Sequence, residues 1–292
     1  MSDVWKKTNN DSISENEIEQ RRSSLQSSDV KSFEFNITEE TIANSALCIK
    51  NLSKNFSGTY AVNNVSLVVP KGSFYGLVGP NGAGKTTTIA MIARLLKPNS
   101  GEIYIQGKDL STDEDEIRNL IGVMPDGMRL FDRLTGLELL TYNGLLRGLP
   151  KDEIVERANE LLKILDLDKE NKKLVSDYSA GMTKKITLAC AMIHAPSLLI
   201  LDEPFEAVDP VSAKKIQLLL KQYIDNGGTI IFSSHVMATV EQLCTHVAIM
   251  NKGKVITAGS VEEVSDGISL EQRFIDSVGS SIEVEELNWL QH

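Results

Sequence analysis

Apolar residues along this chain follow two different rhythms. From about Ala46 to Gln106, and again from Leu198 to Asn251, short aliphatic runs are closed by Gly, Pro, Asn or Asp. That pattern predicts strands at Leu47–Leu52, Asn64–Val69, Phe74–Gly79 and Glu102–Gln106, with a helix over Thr86–Leu96. In the second block it predicts strands at Leu198–Leu201, Thr229–Ser233 and His246–Asn251, with helices over Ser212–Asp225 and Val236–Cys244. Strands that lack polar alternation and are separated by helices indicate a parallel sheet covered on both faces. Between the blocks, from about Met128 to Asp177, apolar positions recur three and four apart, as in Glu138–Arg147 and Glu153–Leu165. This stretch reads as a helical insertion.

The two ends look different. Residues 1–45 are rich in Ser, Asn, Glu and Gln and carry no period that could build a core, so they read as a disordered extension. The alternative there is a short helix over Ser14–Leu25 docking on a partner, with Trp5, Phe33 and Phe35 as its anchors. Residues 266–292 read as a C-terminal helix followed by an acidic tail from Ser280.

Composition narrows the class without naming it. The 292 residues are 41% hydrophobic and carry a net charge of −10. That acidity argues against a protein that coats nucleic acid, whose affinity rests on neutralising phosphates. No run approaches the ~18 apolar residues of a membrane-spanning helix. The N-terminus has no apolar segment after its lysines and reads as no secretory signal. The cysteines Cys48, Cys190 and Cys244 are scattered, which argues against a disulfide framework or a zinc site.

Two motifs carry the chemistry. Gly79-Pro80-Asn81-Gly82-Ala83-Gly84-Lys85-Thr86 fits G-x-x-x-x-G-K-[ST] and lies between a predicted strand and a predicted helix, the context of a P-loop. Glycines let backbone N–H groups curl round phosphate oxygens, and the helix N-terminus faces the same anion. Lys85 is placed to reach the β- and γ-phosphates, Thr86 to ligate Mg²⁺ and Thr87 to touch the α-phosphate. The second motif, Leu198-Leu199-Ile200-Leu201-Asp202-Glu203, is a buried strand that delivers carboxylates at its C-terminal edge, where open α/β sheets bind ligands. Asp202 then holds the Mg²⁺ shell, and Glu203 orients and deprotonates the attacking water.

With these residues in view, the chain resembles the ATP-binding subunit of an ABC transporter over about Leu47–Gly259. The ordered set also includes Tyr178-Ser179-Ala180-Gly181-Met182, similar to the family's C-loop, Phe205–Asp209, similar to its D-loop, and Ser233-Ser234-His235, similar to its switch histidine. The resemblance implies a P-loop NTPase core with a mainly parallel sheet, an antiparallel β-subdomain and an inserted helical subdomain over about 128–178, the ATPase domain spanning 46–265. It implies ATP and Mg²⁺ as cofactors. Two such subunits would meet head to tail, so that Ser179 and Gly181 of one face the ATP on the other's P-loop, and Asp209 would bridge the dimer. It implies that His235 contacts the γ-phosphate and Glu203. The ring that stacks on adenine is expected to be Phe56, with Tyr60 as the runner-up.

The family's usual Gln is replaced by Asp126, which is expected at the Mg²⁺ edge and linked to the helical insertion. With the Ser-Ala-Gly-Met C-loop, it is similar to the branch that exports drugs, antibiotics, peptides or lipid-linked glycans. That branch implies a separate transmembrane permease, with this chain held peripherally at the cytoplasmic face of the membrane, and a homodimer or a heterodimer with a similar chain. Phe131, Leu134 and Leu137 are candidates for the groove that receives the permease. The rival readings are a soluble ABC ATPase acting on ribosomes or DNA, and a regulatory nucleotide-binding module without turnover.

Overall fold

The computed structural model describes residues 37–279, apart from 128 and 171. The expectations for Trp5, the helix over 14–25, Phe33, Phe35 and the acidic tail from 280 lie outside the described residues. Within the segment read as a disordered extension, the chain is already regular before position 46. Thr38 caps a short helix, α1 (Glu39–Asn44), and β1 begins at Ser45.

Ten strands among the described residues form two sheets. In the first, β1 (Ser45–Phe56) is flanked by β2 (Thr59–Pro70) and β4 (Ser100–Ile105), and β5 (Lys108–Asp109) completes the order β2-β1-β4-β5. All of its pairings are antiparallel. The second sheet contains β3 (Phe74–Val78), β6 (Ile121–Met124), β7 (Leu198–Asp202), β8 (Thr229–Ser234), β9 (His246–Asn251) and β10 (Lys254–Ser260). Its order is β10-β9-β3-β8-β7-β6, parallel throughout except for the β9–β10 hairpin.

Buried strand residues alternate between two apolar clusters, one on each face of the parallel sheet. Phe74, Val78, Leu199, Leu201, Ile230 and Phe232 pack toward the helical insertion. Tyr75, Leu77, Leu198, Ile200, Ile231 and Ala248 pack toward the antiparallel sheet and the helix after β3. This double burial explains why the strands read as unbroken aliphatic runs.

The helices follow the chain as α2 (Lys85–Ile92), α3 (Glu114–Leu120), α4 (Gly136–Leu146), α5 (Lys151–Ile164), α6 (Ala180–Met192), α7 (Pro210–Asp225), α8 (Met237–Leu243), α9 (Val261–Ser265) and α10 (Leu270–Val278). α2 stops four residues before the expected Leu96. Arg94 takes a positive φ of 60°, and the Leu95 N–H bonds back to Ala90 O at 2.8 Å, a turn that ends the helix. α3, α9, β5 and β10 have no counterpart in the sequence reading. The β9–β10 turn has φ of 47° at Lys252 and 77° at Gly253, the positive-φ pair of a tight hairpin turn.

Candidate active site

The strand order assembles the site. β3, β8, β7 and β6 are parallel neighbours, so their C-terminal ends share one edge of the sheet. The P-loop leaves β3 there, Asp202 ends β7, His235 follows β8 and Asp126 follows β6. A cavity of about 560 Å³ opens at this edge, lined by P-loop residues with Asp126, Glu203, Glu206 and His235.

The P-loop is shaped by close backbone contacts. A Cβ on Gly79 would meet Met250 O at 2.4 Å, and one on Gly84, at φ +103°, would meet Ala61 O at 2.5 Å. The β9–β10 turn supports the loop from below, with the Gly253 N–H donating to Ala83 O at 3.0 Å. Gly84 starts α2 without a side-chain cap, so the first-turn N–H groups are free of a side-chain acceptor and face an anion site. Lys85 is buried, and its ammonium donates to Gly79 O at 2.7 Å and Pro80 O at 3.3 Å. Burial lowers its pKa, and the nearby Glu203 and Asp202 carboxylates oppose that shift.

The carboxylates form a connected set. Asp202 is 1% exposed. Its Oδ1 accepts from Thr86 Oγ1 at 3.3 Å and from Ser233 Oγ. The Ser233 hydroxyl in turn accepts the Glu203 N–H at 2.9 Å. Glu203 sits at φ +46°, a left-handed conformation uncommon for a residue with a side chain. His235 Nδ1 lies 3.1 Å from Glu203 Oε1. Lys184, on the first turns of α6, donates from Nζ to Asp126 Oδ1 at 2.9 Å and to Glu203 O at 3.0 Å. Nothing in the sequence marks Lys184 or Gly253, or Ser233 beyond its motif, as part of the site. Their partners are distant in sequence, and no local spacing marks them.

The structure thus brings together Gly79, Pro80, Asn81, Gly82, Ala83, Gly84, Lys85, Thr86, Thr87, Asp126, Asp202, Glu203 and His235. Other candidates sit elsewhere in this single chain. Ser179 caps α6, its Oγ accepting the Met182 N–H at 3.3 Å. A Cβ on Gly181 would lie 3.3 Å from Ala207 O in the adjoining loop. Asp209 caps α7 by accepting from Val211 N and Ser212 N, and the Ser212 hydroxyl, then these backbone bonds, lower its pKa. Phe56 and Tyr60 are exposed at the β1–β2 hairpin, and neither ring lines the cavity. Of the groove candidates, Phe131 is exposed and packs edge-on against Tyr142, whereas Leu134 and Leu137 pack against the core.

The fold and site define a P-loop ATPase. The ABC transporter pattern matches residues 62–206. The chain is 36% identical over 211 residues to the linearmycin resistance ATP-binding protein LnrL of Bacillus subtilis, an overlap of 72% of this chain and 68% of that protein. It is 36% identical over 216 residues to the bacitracin transport ATP-binding protein BcrA of Enterococcus faecalis, covering 74% and 69% respectively. A dimeric ATP-binding cassette in a post-hydrolysis state, bound to ADP and phosphate, superposes with a TM-score of 0.68 at 26% identity, covering 74% of this chain and 98% of that one. The chain therefore belongs to the ABC transporter family. It is an ATP-binding, ATP-hydrolysing subunit of a transporter, similar to the drug and antibiotic exporter branch.

Proposed function

We propose that this subunit drives a separate membrane permease in the direction of export, with ATP hydrolysed between two head-to-tail ATPase subunits. The observation that carries the reading is the convergence of Lys85, Thr86, Glu203 and His235 on one cavity, with Asp202 buried behind it and bonded to Thr86. Thr86 and Asp202 fit a hard cation, because a hydroxyl and a carboxylate oxygen meet beside the phosphate cradle. Asp126, which lines the same cavity, is a further oxygen donor. Mg²⁺ held there would neutralise phosphate charge. Lys85 binds the phosphates. Glu203 accepts the proton of the attacking water, and His235 holds the Glu203 carboxylate in position.

Ser179 and Gly181, remote from this chain's own P-loop cavity, are the residues a second subunit presents to it. Asp209 serves as helix cap in the single chain and bridges the pair. Phe56 packs on the adenine. A groove of about 470 Å³ between the sheet and the helical insertion, lined by Arg94, Arg129, Phe131 and Arg147, is the surface for the permease. The roles of the relatives, linearmycin resistance and bacitracin transport, support export, and a subunit that drives a permease with ATP sits peripherally at the cytoplasmic face of the membrane. They lend no support to a ribosome- or DNA-acting ATPase.

The test is paired. The purified chain releases phosphate from ATP in a Mg²⁺-dependent way, and the chain is recovered with membranes only when its permease is co-expressed. ATP binding without phosphate release would leave a regulatory module. Recovery with ribosomes or DNA would replace the transport reading.

A further inference from the structure

Lys184 takes no part in the hydrolysis as described so far, yet its ammonium touches two elements of the hydrolytic cavity from a third. It extends from α6, the helix headed by Ser179. It bonds Asp126, on the loop between β6 and the helical insertion, at 2.9 Å and the Glu203 carbonyl, at the end of β7, at 3.0 Å. The Lys184 side chain is 15% exposed. An ammonium so shielded is retained where its donors are used, and here two of the three are.

Glu203 explains what the bond achieves. At φ +46° its peptide groups need partners on both sides to stay in place. Its N–H is held by Ser233 Oγ, and its carbonyl is held by Lys184 and, at 3.2 Å, by the Glu206 N–H. We propose that Lys184 is a positioning residue for hydrolysis: it fixes the left-handed Glu203 peptide, and so the direction of its carboxylate, and ties that peptide to Asp126 and to the helix carrying Ser179. A movement of α6 then reaches Glu203 and Asp126 through one charged group.

This inference rests on Glu203 being the base, so the experiment includes Glu203→Gln as a separate arm. Steady-state ATP hydrolysis is measured for Lys184→Met, Lys184→Arg, Asp126→Asn and the double variant Asp126→Asn/Lys184→Met, with thermal midpoints and binding of a fluorescent ATP analogue recorded in parallel. Lys184→Met is expected to lower kcat by at least about tenfold, with KM for ATP and the thermal midpoint little changed, because a misdirected base costs rate rather than binding. Lys184→Arg is expected to restore most of the rate. The double variant should lose less than the product of the two single losses, the sign of residues that are coupled, while Asp126 keeps a separate part at the cation edge. Lys184→Gln carries the same comparison if the Met variant does not fold. Wild-type kcat in Lys184→Met, a parallel loss of stability and rate, or multiplicative effects in the double variant would overturn the proposal. Turnover lost in Glu203→Gln but kept in Lys184→Met removes only the role of Lys184. Turnover kept in Glu203→Gln removes the base assignment itself.

Discussion

Single residues in this protein are tuned by what surrounds them more than by their type. Asp202 is buried at the end of β7 with Thr86 and Ser233 donating to it, while the next residue, Glu203, turns into the cavity through a left-handed backbone. Adjacent acids thereby receive different tasks. His194 illustrates the same rule away from the site. Its Nε2–H donates to Ile121 O at 2.9 Å, and burial, then the positive charge of Arg147, depress its pKa to about 4. Between the unfolded value of about 6.5 and this folded value, the unfolded chain binds a proton that the folded chain refuses. The stability that the neutral ring contributes is therefore complete above pH 6.5 and is lost as pH falls toward 4. The slope is a fraction of the ~1.4 kcal/mol per pH unit available to one proton, since the ring is only partly shielded from water. Denaturant melts at pH 6.5 and 5.5 should show the wild type losing more stability than His194→Asn. Equal losses would contradict the shift.

At the scale of elements, legibility depended on whether the physics was local. The P-loop and the strand ending in Asp202 were readable because phosphate binding and strand-end carboxylates impose spacing within a few residues. Helix starts were also close to readable: α4 begins two residues before the expected Glu138, where Thr135 and Glu138 form a reciprocal cap. Helix α2 was read too long because its end is set by the backbone of Arg94, a residue with no turn preference of its own. Strand β10 was missed although Lys252-Gly253 is a plausible tight turn, since its residues alternate too weakly to stand out. Phe56 and Tyr60 were separable only by position in the hairpin, which the chain alone does not specify.

The cap of α4 provides the test at this scale. Replacing a Thr N-cap by Ala costs about 1 kcal/mol. Thr135→Ala should lower unfolding stability by that amount and leave the KM for ATP unchanged, because α4 contributes nothing to the cavity wall. A change in KM without a change in stability would mean that α4 acts on the nucleotide site directly.

Across the whole molecule, the six-stranded sheet separates two apolar clusters and gathers the chemistry at one edge. Strand order rather than chain order does this: β3 and β7 lie on either side of β8, although more than a hundred residues separate them in sequence. The class of fold was legible from the aliphatic runs. The meeting of Lys184, Asp126 and Glu203 was not, because it depends on which strands become neighbours. Ser179 and Gly181 do not line the P-loop cavity of their own chain, the arrangement that the proposed head-to-tail pairing requires. Among the described residues, no helix is long and apolar enough to cross a membrane.

Phosphate release by Glu203→Gln against the wild type, at saturating ATP and Mg²⁺, bears most directly on this account. The substitution keeps shape and removes the proton acceptor beside His235. A positioned general base contributes about 10²–10⁴-fold to rate, so the variant should bind ATP and release phosphate at least about a hundredfold more slowly. Release at the wild-type rate would contradict the assignment of Glu203 and, with it, the mechanism built on this sheet edge.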